Sequence, residues 1–212
     1  MLRLEPRREP SRTMFYLTPF LAVVLTLIGG AILFALLGKP PLQTLMLVFI
    51  EPLTSLRGVS ELLVKASPLI LIAVGLAVGF RAGIWNIGAE GQFTIGALAG
   101  GSVALAVYPE TGFWLLPLMA LGGILGGMAW AAIPALLRTR FNTNEILVSL
   151  MLTYVATLLL TSLMHGPLRD PQGFNFPESR LFQTSLPVII EGTRAHIGFL
   201  VGLAVAVVAW VL

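Results

Sequence analysis

The feature that most constrains this chain is a succession of apolar runs about as long as a bilayer is thick. They cover about residues 15–37, 62–80, 87–107, 113–137, 146–164 and 197–212. A helix needs roughly 20 predominantly apolar residues to cross the hydrocarbon core. The pattern therefore predicts an all-α fold, a polytopic transmembrane helical bundle with about six transmembrane helices. Charge content agrees, because 11% of the 212 residues are charged where a soluble domain carries about a quarter.

The first run follows Arg3, Arg7, Arg8 and Arg12. A signal peptide has an apolar region of roughly 7–15 residues and a small-residue cleavage site. This run is longer and ends in "ALLGKPP", so it is predicted to stay as a membrane helix. Residues 1–13 then form a cytoplasmic N-terminal tail and 14–212 a transmembrane domain. Residues 39–60 are less apolar and punctuated by proline, and "LQTLMLVFI" within them is too short to span. That segment is predicted to lie at the interface or to re-enter the membrane. Orientation follows from the basic residues of short loops. With the N-terminus inside, the tail, the turn at Arg81 and the "RTRFNTNE" loop hold seven Arg, and the outer segments hold the other six Lys or Arg over about twice the length.

That orientation puts "GFRAGIWNIGAEGQFTIGALAG", residues 79–100, at the cytoplasmic boundary. Gly75, Gly79 and Gly83 recur every four residues, as do Gly96 and Gly100, and Gly122 and Gly126. Small residues at this spacing line one helix face and let neighbouring backbones approach closely. Asn86 is predicted as the N-cap of the third span with Glu90 in its first turn, where a carboxylate is favoured. The functional alternative is that Glu90 and Gln92 contact a solute, gate its path or pair with Arg81, since ionisable groups at membrane depth usually face a cavity. "NTNEILVSLMLTY" repeats the pattern: Asn142 followed by Glu145 is a capping-box signature for the fifth span.

Catalytic and cofactor motifs are absent from the sequence. There is no Cys, and His165 and His196 lack ligand spacing. "LLGKPP" fails the phosphate-loop pattern. The net charge of +3 is scattered, without the basic patch that nucleic acid requires. No enzymatic activity, cofactor, metal or nucleic-acid partner is expected from these residues, and the chain is not expected to hydrolyse nucleotide by itself.

The two motifs "FRAGIWNIGAEGQ" and "TNEILVSLMLTYVA" resemble the permease subunits of bacterial ATP-binding cassette importers, in the group that serves branched-chain amino acids, ribose and nucleosides. The wording is most similar to the nucleoside-type, or simple-sugar, permeases. The resemblance covers residues 62 to about 164 and implies a multi-pass plasma-membrane protein. It also implies a second permease subunit, cytoplasmic ATPase subunits that hydrolyse ATP, and an extracytoplasmic substrate-binding lipoprotein as partners, besides membrane lipid. Asn86, Glu90 and Gln92 match the motif after the second span, and Asn144 and Glu145 the motif opening the fifth. They are the candidates for the substrate path or its gating. Family members carry more helices and a cytoplasmic loop that docks on the ATPase, so the chain is expected to be the N-terminal portion of a permease. A secondary transporter with a broken helix and a non-transporting membrane scaffold remain alternatives on the residues alone.

Overall fold

The computed structural model describes residues 11–174 and 176–211. Of the predicted N-terminal tail, residues 1–10 lie outside the described residues. The helices, in chain order, are α1 (Arg12–Leu36), α2 (Pro41–Phe49), α3 (Glu51–Thr54), α4 (Leu56–Arg81), α5 (Ala89–Ala106), α6 (Leu115–Phe141), α7 (Glu145–His165) and α8 (Gly198–Val211). Among the described residues there is no named strand, and one isolated antiparallel bridge joins Val188 to His196. The fold is an all-helical membrane protein. Four helices, α1, α4, α6 and α7, are long and apolar enough to cross a membrane. α5 has 18 residues, about 27 Å of helix, and α8 has 14. Together these six correspond to the six predicted spans.

The chain divides into two units, Met1–Leu62 and Leu63–Leu212. In the first, Ser11 caps α1 by accepting from the Met14 amide at 3.4 Å. α1 gives way to Gly38, whose φ of +69° favours glycine. Pro41 opens α2 at a position where its missing N–H costs nothing. α2 has nine residues and α3 four, so neither spans, as the prolines and the short apolar run predict. α4 starts at Leu56, six residues before the predicted second span. A hydropathy window stops at charge, but Arg57, Glu61 and Lys65 are four residues apart and share one helix face, so the helix continues through them.

The second unit is built around α5, which packs chiefly on α6 and next on α7. A Cβ on Gly96 would lie 3.0 Å from the Gly123 carbonyl oxygen, and one on Gly100 2.7 Å from that of Met119. From α6, a Cβ on Gly126 would meet the Ala99 side chain at 2.5 Å, and one on Gly122 the Val103 side chain at 3.0 Å. The two backbones touch because neither carries a side chain at these points. Where α8 approaches α4, a Cβ on Gly202 would lie 3.3 Å from the Ser67 carbonyl oxygen and 3.7 Å from the Ile70 side chain.

Two helix ends differ from the expected caps. The N-cap of α5 is Gly88, not Asn86. Asn86 lies two residues earlier, and its Oδ1 accepts from the Gly88 amide at 2.9 Å, an Asx turn ahead of the helix. Likewise Asn142 does not open α7. It ends α6 in the left-handed conformation at φ 52°, which Asn tolerates better than most residues. Asn144 caps α7, its Oδ1 accepting from the amides of Ile146 at 3.0 Å and Leu147 at 3.3 Å. The spacing rule chose the first Asn of "NTNE", although the second sits where an extended residue meets the first helical turn.

Candidate functional site

α4 ends at Arg81, α5 begins at Ala89, α6 ends at Phe141 and α7 begins at Glu145. The non-helical segment 82–88 and the 142–144 turn meet at one end of the bundle. Gly83, at φ +73°, turns the chain out of α4, so it lies beyond that helix. The segment is then tied to α7. The Ile87 amide donates to Ser149 Oγ at 3.3 Å, and a Cβ on Gly88 would lie 2.6 Å from the Ser149 carbonyl. Gly91 packs on Thr153 one turn further along.

Four of the polar side chains here pair with one another. Asn86 Nδ2 donates to Gln92 Oε1 at 3.1 Å. Arg138 from the last turn of α6 forms an ion pair with Glu145 from the first turn of α7. Asn86, Gln92, Arg138, Glu145 and Ser149, with Ile84, Pro134 and Thr139, line a cavity of about 330 Å³. The structure thus brings together three of the five candidates, Asn86, Gln92 and Glu145. Glu90 is exposed, and among the described residues it makes no ion pair with Arg81. Asn144 is exposed and is spent on the α7 cap. Arg138 and Ser149 were not singled out from sequence. An Arg in the last turn of a helix is explained by the dipole alone, and one Ser in an apolar run gives no signal until its partner is known.

A larger cleft of about 680 Å³ adjoins this cavity between α4, α5 and α6 and shares Asn86, Gln92 and Ala131 with it. Leu71, Ile72, Gly75 and Leu76 of α4 face Phe93 of α5 and Gly123, Gly127 and Met128 of α6 across it. Its lining has no charged side chain, and its polar side chains are the two carboxamides of Asn86 and Gln92. Gly75 has nothing within 4 Å of where its Cβ would be, and Gly79 has only the Ile84 carbonyl at 3.6 Å. These glycines of α4 leave space, whereas those of α5 and α6 close it.

Cavities continue along α5 away from the polar end. One of about 280 Å³ lies between α5, α7 and the loop after α7, lined by Phe93, Leu98, Gly101, Ser102, Met164 and Phe182 among others. The Phe182 ring would lie 3.1 Å from a Cβ on Gly101. Another of about 340 Å³ shares Ser102, Leu105 and Leu168 with it and reaches Arg169 and Arg180. Arg180 sits 5.0 Å from the centre of the Tyr108 ring and 3.9 Å from Asp170.

Residues 58–212 match the family model described as the permease component of the branched-chain amino acid transport system. The glucose ABC transporter permease protein of Haloferax volcanii is 40% identical over 99% of this chain and 58% of its own length. The guanosine ABC transporter permease protein of Bacillus subtilis is 29% identical over 94% of this chain and 58% of its own. The nucleoside ABC transporter permease protein of Lactococcus lactis is 31% identical over 74% of this chain and 43% of its own. The chain therefore spans less than two thirds of the length of these curated relatives. No solved structure matches it. The chain belongs to the branched-chain amino acid transport permease family, whose members similar to it are ABC transporter permeases for sugars and nucleosides, and it is a multi-pass membrane protein.

Proposed function

We propose that this chain lines the translocation path of an ATP-binding cassette importer for neutral, hydroxylated solutes, nucleosides or simple sugars. The observation that carries this is the succession of cavities along α5, from the Asn86, Gln92 and Glu145 cluster to the loop beyond α7. The largest, at about 680 Å³, is within the range of small-molecule sites. Its lining suits an uncharged solute, because an ion entering it would lose water and find no counter-charge. Two carboxamides offer donors and acceptors of the kind hydroxyls and ring nitrogens use. Relatives named for glucose, guanosine and nucleosides support the same class.

Energy comes from separate cytoplasmic ATPase subunits in this reading, since the 212 residues hold no phosphate-binding loop of their own. A second permease subunit and an extracytoplasmic substrate-binding lipoprotein complete the machine. In this reading the N-terminus and the 142–144 turn face the cytoplasm and the 165–194 loop faces outward, the orientation that Arg density in the short loops favours. The permease reconstituted with these partners is expected to take up labelled guanosine, uridine or glucose with ATP and not with a non-hydrolysable analogue. Uptake that ignores ATP and follows a proton or sodium gradient would transfer the assignment to a secondary transporter.

A further inference from the structure

We propose that Phe93 is the platform on which the solute's flat face rests as it passes from the inner cleft to the outer cavity. The inference rests on the path along α5 described above. Among the described residues, Phe93 is the one side chain that lines both the cleft between α4, α5 and α6 and the cavity beneath the loop after α7. A solute moving between these two spaces passes its ring.

The ring is available for that contact. It is 51% exposed, and among the described residues no other aromatic ring is stacked on it or set edge-on against it. Its helical neighbours toward the two spaces are small: Ala89 lines the cleft with it, and Ala97 lines the outer cavity one turn along. Across the cleft, Gly75 leaves open space where any other residue would project. Gln92 is the adjacent residue on α5, and its carboxamide is held by Asn86 at 3.1 Å. An aromatic face beside an amide pair is the arrangement that holds a planar or flat-sided ring while its polar rim is hydrogen-bonded. The shared chemistry is an uncharged ring with one apolar face: a nucleobase stacks with its π surface, and a hexose presents its C–H face. Neither needs a charged partner, in keeping with the lining. Nothing in the sequence singles out Phe93, because one Phe in an apolar span reads as lipid-facing or core.

The test uses the permease assembled with its ATPase and receptor partners in proteoliposomes, with guanosine and glucose as separate solutes. Phe93→Leu keeps an apolar side chain and removes the ring face. It is expected to raise KM for the carried solute about tenfold, the order of one aromatic stacking contact, at normal membrane abundance. Phe93→Tyr should restore KM to within about twofold of the parent. A larger effect on guanosine identifies a base as the ring, and a larger effect on glucose identifies a sugar face. KM unchanged by Phe93→Leu for both solutes overturns the proposal. Phe93→Cys, in a permease free of other cysteines, separates this failure from failure of the path itself. If a thiol reagent blocks uptake and solute protects against it, the path stands even where the platform role falls. If modification proceeds and uptake is unaffected, the path along α5 falls and the platform with it.

Discussion

Gly100 on α5 and Gly75 on α4 are the same residue type on two helices of one unit, each with a second glycine four residues away. At Gly100 the α6 backbone fills the space, with the Met119 carbonyl 2.7 Å from where a Cβ would stand. At Gly75 the corresponding space is empty to 4 Å and opens into the cleft. The seam and the cleft share α5 and α6, so the contrast is between two uses of missing side chains. One lets backbones meet, which is what holds helices together where lipid offers no hydrophobic drive. The other keeps a volume free. Glycine spacing announces both and distinguishes neither.

The largest expected effect is at the seam. Gly100→Val forces side-chain atoms against the α6 backbone, and overpacking of this kind costs about 1–3 kcal/mol. Thermal unfolding in detergent should show a clearly lowered Tm and reduced membrane abundance. A variant with parental Tm would mean that α5 and α6 separate easily and that the seam is no fixed element. Ser149→Ala comes next, because it removes the acceptor for the Ile87 amide. Losing one hydrogen bond of this kind costs about 1 kcal/mol. Amide exchange at Ile87 should accelerate with the seam unchanged, and unaltered exchange would show that segment 82–88 is held by other contacts. Glu90→Gln should be the mildest. The carboxylate is exposed in the first turn of α5, where a helix-end charge contributes about 0.3–1 kcal/mol. Uptake and abundance should remain close to parental. A collapse of uptake at normal abundance would give Glu90 a role that its position outside the cavities does not suggest.

The helical bundle was legible because bilayer thickness imposes one length on every span, so apolar runs predicted the helices, with the start of α4, six residues early, the largest departure. The glycine seam between α5 and α6 was legible for a related reason, since spacing of four on a helix means one face. The caps were less so. "NTNE" offers two Asn two residues apart, and only backbone geometry assigns Asn142 to the end of α6 and Asn144 to the start of α7. Of the site, Asn86, Gln92 and Glu145 stood out as polar groups in apolar surroundings, and the structure gathers them around one cavity. Their partners did not stand out. Ser149 lies 62 residues beyond the amide it accepts from, and Phe93 is unremarkable until two separate spaces are seen to meet at its ring. Long-range pairing and empty volume leave no mark in a local pattern.

In the proposed function the cleft beside Gly75 is part of the solute's path. This is tested most directly by filling the cleft. Gly75→Phe adds a ring where nothing lies within 4 Å of the Cβ position, so stability is expected to stay within about 0.5 kcal/mol of the parent. In the permease reconstituted with the proposed ATPase and receptor partners, ATP-driven uptake of labelled guanosine or glucose should fall at least about tenfold, the equivalent of about 1.4 kcal/mol, with Tm and abundance unchanged. Full uptake by a stably folded Gly75→Phe permease would contradict the account, because a solute that ignores an obstructed cleft does not travel through it.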